Sequence, residues 1–309
     1  MSTTNLLRQA RTYRQPALLQ DIRLFDLLEL GGTTTDASRV LSLCQSTVSR
    51  RCNALARDLA LVPKRRDPAA CRYGTSRVLR LLRHACRAHR LGAGVAQLGS
   101  DVLHQPLLAG QPWLLPAPQR FRPIGSWLEL VREGVVDGAL LSGLELELEA
   151  NVGIDRDGVE ILPLGALELG LVVSPDWREP SSGEPPAVLV PHDGVAAGLR
   201  QALISQGLNP RSTGNSTQNP GQWLRRLEKT GLAMVLPRLE PAHWWHPLRP
   251  LQLPAPLETT VWLAVPAGWR EQAVLVEAVE RLALHPALSP RGAHGAHGAH
   301  GAHGPQNDE

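Results

Sequence analysis

Residues 33–59 read TTTDASRVLSLCQSTVSRRCNALARDL, and the fold is decided here. Ala37, Val40 and Leu41 recur at the spacing of one helical face, Ser42 to Cys44 interrupt the pattern, and Val48, Cys52, Leu55 and Leu59 resume it. This spacing predicts two short helices joined by a tight turn. Thr33, Thr34 and Thr35 carry hydroxyls suited to a helix start, where a side-chain oxygen satisfies an N–H that has no partner in the first turn. Upstream, DIRLFDLLEL from Asp21 places Leu24, Phe25, Leu27 and Leu28 on one side of a further helix that ends at Gly31-Gly32.

The last of these helices carries Gln45, Ser46, Thr47, Ser49, Arg50 and Arg51 at its polar N-terminal end. A helix that enters the major groove of DNA needs short polar groups there for base edges, and arginines for guanine or phosphate. The alternative is a plain helix cap with arginines turned to water. Ala37, Leu41 and CQSTVSRRCNAL resemble the helix-turn-helix of the LysR family of transcriptional regulators, with Gln45, Ser46, Val48, Ser49, Arg50 and Leu55 at matching positions. The resemblance implies base and phosphate contacts from Gln45, Ser46, Ser49 and Arg50. Departures from the family pattern are Ala56 in place of the usual Glu, Ala60 in place of Gly, and LVPKRR in place of Leu-Phe-x-Arg. A wing is expected after the third helix, with Lys64, Arg65, Arg66 and Arg72 as phosphate or minor-groove contacts.

Beyond the wing, TSRVLRLLRHACRAHRL reads as an amphipathic helix with Val78, Leu81, Leu82, Ala85 and His89 as its apolar stripe and Arg77, Arg80, Arg83, Arg87 and Arg90 largely outside it. This segment resembles the family's linker helix, which implies pairing of two subunits in a homodimer or homotetramer. His84, Cys86 and His89 do not converge on one point of a helix, so no metal site is assigned to them.

The net charge of +3 hides an asymmetry. Residues 1–91 hold 17 Arg/Lys against 6 Asp/Glu, a net of +11, whereas residues 92–309 hold 15 against 23, a net of −8. A basic small domain beside an acidic larger one suits a polyanion partner such as double-stranded DNA; a merely solvated Arg-rich face is the alternative. With 43% hydrophobic and 20% charged residues over 309 positions, two globular domains are expected. No run approaches the ~20 apolar residues of a membrane span, and the polar, basic start lacks a signal-like apolar core, so a cytoplasmic protein with no membrane partner is expected. The four cysteines, Cys44, Cys52, Cys71 and Cys86, show no CxxC spacing and read as reduced thiols.

After Leu91, short apolar runs broken by Gly and Pro alternate with helical stretches, the texture of an α/β domain with a mainly parallel sheet. Expected strands include RLGAGVA, DGALLSG, LGLVVS, AVLVP, GLAMVLP and TVWLAVP; expected helices are SWLELVREG, VAAGLRQALISQG, GQWLRRLEK and REQAVLVEAVERLAL. WLELVREGVVDGALLSG with Asp137, VEILPLGALELGLVVS and KTGLAMVLP resemble, in order, phrases of the LysR-family sensor domain. The resemblance implies a two-lobed, periplasmic-binding-protein-like (type 2) domain. Only about 30 residues separate RLGAGVA from the SWLELV helix, which predicts a trimmed first lobe. A small-molecule effector is expected between the lobes, where helix N-termini offer free N–H groups. Gln97, Ser100, Ser142, Thr213 and Asn215 are its candidate contacts, each with a solvated loop or cap as the alternative. Asp137 reads as a cap or backbone hydrogen-bonding group rather than as a catalyst. His192-Asp193 and the HWWH run 243–246 stand isolated, so neither an enzyme nor a cofactor is expected.

Residues 292–304, GAHGAHGAHGAHG, cannot build a core. Their His294, His297, His300 and His303 suit loose chelation of Ni²⁺, Cu²⁺ or Zn²⁺, and a repeat without a role is the alternative. The expected order is an extension (1–20), a winged helix-turn-helix (21–73), a linker helix (74–90), an effector domain (91–286) and a His/Gly/Ala-rich tail (287–309). The expected fold is an N-terminal all-α winged helix-turn-helix joined to a C-terminal α/β two-lobed domain. Its expected function is sequence-specific transcriptional regulation. A solute-binding protein with a structural N-terminus is the alternative, and a sequence-indifferent architectural DNA binder fits the large acidic domain less well.

Overall fold

The computed structural model describes residues 13–62, 73, 76–118, 120–150, 156–178, 185–192, 194–212, 220–238, 247–253 and 255–290. The expected wing with Lys64, Arg65, Arg66 and Arg72, the effector candidates Thr213 and Asn215, the HWWH run, Asp193, Cys71 and the histidine repeat lie outside them.

The N-terminal domain is helical. α1 (Gln20–Gly31) buries Ile22, Leu24, Phe25, Leu27 and Leu28, and stops where Gly32 takes φ +73, a conformation that a side chain disfavours. α2 (Thr34–Leu41) is capped by the Thr33 hydroxyl, which accepts from Asp36 N at 3.1 Å. It buries Ala37 and ends in a turn at Ser42, which adopts φ +53. α3 (Gln45–Asp58) inserts Val48 and Cys52 into the same core, against Phe25 and Leu28 of α1. Ala60, at the position where the LysR pattern has glycine, adopts φ +51, so the left-handed turn persists without the residue that best suits it.

α4 (Arg77–Gly92) buries arginines that lie outside its apolar stripe and leaves part of that stripe outward. Arg83, Arg87 and Arg90 are at most 1% exposed, while Val78 and Leu81 are 51% and 62% exposed. The cause is the ring of acids around the arginine face. Arg83 Nε donates to Asp26 Oδ1 of α1 at 2.7 Å, and Arg90 donates to both carboxylate oxygens of Asp137 at 2.7 and 2.9 Å. Arg87 donates to the carbonyls of Val131 and Val136, the latter at 2.7 Å, and Arg80 pairs with Glu133 at 2.5 Å. Charge-assisted bonds of this kind offset part of the desolvation cost of burying a guanidinium.

The C-terminal domain contains one sheet in the order β1-β2-β8-β3-β6-β4-β5, with β7 and β9 also on β3, among the described residues. The strands are β1 (Leu98–Gly99), β2 (Gly138–Ser142), β3 (Val159–Val173), β4 (Ala187–Val190), β5 (Asn209–Ser212), β6 (Ala233–Pro237), β7 (Arg249–Leu251), β8 (Leu257–Pro266) and β9 (Leu288–Ser289). Its helices are α5 (Ile124–Arg132), α6 (Gly143–Ala150), α7 (Ala197–Ser205), α8 (Pro220–Thr230) and α9 (Ala273–Ala283). The sheet is mixed, not mainly parallel. β1-β2, β4-β5 and β4-β6 are parallel, but β3 and β8 run antiparallel for most of their length. These two strands run through both lobes: the end of β8 lies between β2 and the first half of β3 in one, and the second half of β3 carries β6 in the other. Between β1 and α5 the first lobe has only a single 3-10 turn, Gln105–Leu108, and the isolated bridge Ala96↔Leu114, as the short spacing predicts. β9 brings Leu288 and Ser289, in the segment read as tail, onto β3.

The two domains interlock. Leu30, in the last turn of α1, is fully buried in the core of the first lobe with Ile124, Trp127, Leu128 and Val131.

Candidate DNA interface and ligand cleft

The start of α3 stands outward because its apolar positions are held from behind. Val48 and Cys52 are only 0% and 3% exposed, which leaves Gln45, Ser46 and Arg50 exposed and Thr47, Ser49 and Arg51 half-buried on the other side. Gln45 donates from Nε2 to Thr34 Oγ1 at 2.9 Å, which ties the end of the turn to α2. Arg51 is committed to Asp21 of α1 at 2.5 Å. Arg50 is the exposed cation nearest the helix start, beside Ser46 and Ser49.

Cys44, the residue that caps α3, was read from sequence only as a reduced thiol. It is exposed, and the hydroxyls of Ser46 at 3.4 Å and Thr47 at 2.8 Å lie beside its sulfur. These bonds lower its thiol to about 7. Cys86, by contrast, is buried and pushed up to about 12 by desolvation. Only the thiolate is nucleophilic, so alkylation of Cys44 by iodoacetamide is expected to rise through a midpoint near pH 7. Peptide mass spectrometry across a pH series checks this; equal labelling of Cys44 and Cys86 at pH 7 would contradict it.

Three of the 17 basic residues of the first 91 face inward. Arg83, Arg87 and Arg90 lie between α1 and the first lobe, where burial pulls Arg87 down to about 10 against the attraction of Asp137. Arg90 is also penalised by burial, but Asp137 more than compensates and raises it. Burial pushes Asp26 up to about 6 despite Arg83 and Arg90.

A cleft lies between the lobes. Asp101, Arg122, Trp127 and Ser142 face it from the first lobe, and Val195 and Leu199 from the second. The enclosed space is about 20 Å³, room for about one water molecule. Of the described effector candidates, Ser142 lines this cleft and its hydroxyl pairs with Thr259 Oγ1 at 2.9 Å. Gln97 and Ser100 are buried away from it. Gln97 donates from its backbone to Asp137 at 2.8 Å and from its side chain to Val135 O at 3.0 Å, while the Ser100 carbonyl accepts from Arg120 N. Sequence reasoning missed Arg122. It lines the cleft, stacks over Trp127 at 5.6 Å, and donates to the Glu29 and Leu30 carbonyls at the end of α1, the latter at 3.0 Å. Its isolated place in QRFRPIG carries no periodic signal.

Among the described residues no group of three or more His, Cys, Asp or Glu is placed to hold a metal, and no helix is long and apolar enough to cross a membrane.

No protein-family model matches the chain, and no curated protein matches it. Among solved structures the chain is similar to ArgP from Mycobacterium tuberculosis, at 14% identity and a TM-score of 0.46 over 88% of this chain and 98% of that one. It is similar to full-length CbnR complexed with its target DNA, at 14% identity and a TM-score of 0.44 over 86% and 99%. It is also similar to the full-length LTTR LysG from Corynebacterium glutamicum with bound effector Arg, at 18% identity and a TM-score of 0.43 over 85% and 98%.

Proposed function

We propose that this protein is a LysR-type transcriptional regulator that binds an operator through α3, pairs with a second copy through α4, and senses a small molecule between its lobes. The observation that carries this reading is the polar start of α3. Gln45, Ser46 and Arg50 stand exposed on a helix whose other side is buried on α1, behind a tight turn from α2. That combination supplies short polar groups and a guanidinium on a rigid rod about the width of the major groove.

The outward stripe of α4 supports the pairing. Val78 and Leu81 are exposed, with Ala85 and Ala88 continuing the same face. Apolar residues at this spacing on one helix favour a like partner. Two recognition helices related by a two-fold axis would then read half-sites about one DNA turn, roughly 34 Å, apart. For the sensor, a cleft with room for about one water admits a small molecule only when the lobes part. The chain would act in the cytoplasm, and no catalytic role is assigned to it.

The test is selection of bound sequences from a random duplex library by the full-length protein at near-physiological salt, where non-specific phosphate binding is weakened. An interrupted palindrome is expected. Absence of any enriched sequence would overturn the reading in favour of a ligand-binding protein with a structural N-terminus.

A further inference from the structure

Besides the strands β3 and β8 that run through both, the lobes meet at a capped helix. α7 starts in the second lobe after Ala196, which offers no side-chain acceptor for its first free N–H groups. The acceptor comes instead from the first lobe. Glu145, in the first turn of α6, takes Gly198 N on Oε2 and Leu199 N on Oε1, both at 2.9 Å. A carboxylate at a helix N-terminus is favoured by the aligned peptide dipoles and by two charge-assisted bonds. Beside it the two backbones touch: a Cβ built on Gly198 would lie 2.1 Å from Leu144 O. Glycine is thus required at this contact for lack of space.

The opposite wall of the same cleft reaches the DNA-binding domain. Arg122 and Trp127 line the cleft, Arg122 holds the last carbonyls of α1, and Trp127 packs with Leu30. α1 leads through Gly31 and Gly32 into α2 and α3. A change in lobe separation therefore acts on side chains that directly grip the helix-turn-helix.

We propose that Glu145 is a latch that sets the separation of the lobes, and that its release is the step by which the cleft alters DNA binding. The regulatory half of this proposal rests on the reading of the chain as a ligand-sensing DNA binder. With Glu145 engaged, the cleft closes on contacts supplied by the chain itself. With it released, the amides of Gly198 and Leu199 turn to water, which parting of the lobes admits.

The test uses the full chain in three forms: Glu145→Ala, which removes the acceptor; Glu145→Gln, which keeps the shape and one acceptor; and Gly198→Val, which wedges the contact and leaves Glu145 in place. Loss of these two hydrogen bonds is expected to speed amide exchange at Gly198 and Leu199 by at least about tenfold in Glu145→Ala, with β2 unchanged. Glu145→Gln should fall between. Small-angle scattering should report a larger radius of gyration in both Glu145→Ala and Gly198→Val. Wild-type exchange and dimensions in both of these variants would overturn the latch. Affinity for the enriched duplex is then compared, and a change of about threefold or more is expected. Parted lobes with unaltered affinity would overturn the regulatory role and leave the DNA-binding reading intact. If the library yields no duplex, that reading and the regulatory role fail together, and exchange and scattering still decide the latch.

Discussion

Replacing Asp137 by Ala is expected to cost about 3–5 kcal/mol of unfolding free energy, the range for removing one partner of a buried ion pair. Asp137 is fully buried, and its carboxylate accepts Arg90 at 2.7 and 2.9 Å and Gln97 N at 2.8 Å, with Arg87 Nε 3.5 Å away. Alanine would leave Arg90 without its counter-charge in a site closed to water, and one backbone N–H of the first lobe without its acceptor. The loss should appear as a lower urea midpoint at unchanged slope. Asp137→Asn keeps the shape and one acceptor, so an intermediate loss is expected. Leu at 137 combined with Met at Arg90 should recover part of the loss, because matched apolar side chains remove both desolvation penalties. A change below about 1 kcal/mol in Asp137→Ala would show that water enters the site and screens the arginines.

The same cluster shows where sequence reasoning reaches and where it stops. Helix starts and ends were legible because they depend on neighbours a few positions away: Thr33 caps Asp36, Gly32 turns left-handed, and Val48 and Cys52 fall on the buried side as their spacing predicts. The orientation of α4 was not. Periodicity marked its apolar stripe, of which Val78 and Leu81 stand outward, but not the burial of its arginine face, which is set by Asp26, Glu29, Glu133 and Asp137, as many as 57 residues away along the chain in the Arg83–Asp26 pair. A pattern within one helix cannot report the acids of another.

Charge counting was limited for the same reason. It gives 17 basic and 6 acidic residues in the first 91 but not where they lie, and Arg83, Arg87 and Arg90 are buried within the chain. The sheet direction was misread because LGLVVS and TVWLAVP look like ordinary short strands, while both belong to longer strands, β3 and β8, whose antiparallel pairing spans the two lobes. At the cleft, the position of Ser142 was legible from its place at the end of a strand. Arg122 and Glu145 were missed, since their roles exist only across lobes or domains.

The recognition helix yields the second large effect. In a variant carrying both Ser49→Ala and Arg50→Ala, the ratio of affinities for the enriched duplex and a scrambled one is expected to fall about 10- to 100-fold. A well-placed bidentate contact discriminates by about 1–3 kcal/mol, and a serine hydroxyl adds less. Fold and oligomeric state should survive, because the anchors Val48 and Cys52 are untouched and Arg50 is exposed. Arg57, exposed in the last turn of the same helix, is the control. If it meets only phosphate, Arg57→Ala weakens both duplexes alike and makes binding less salt-dependent, leaving the ratio intact. Titration of labelled duplexes at fixed salt separates the two cases. An unchanged ratio in the double variant would mean that sequence is read elsewhere, and the outward face of α3 would then be a positioning surface alone.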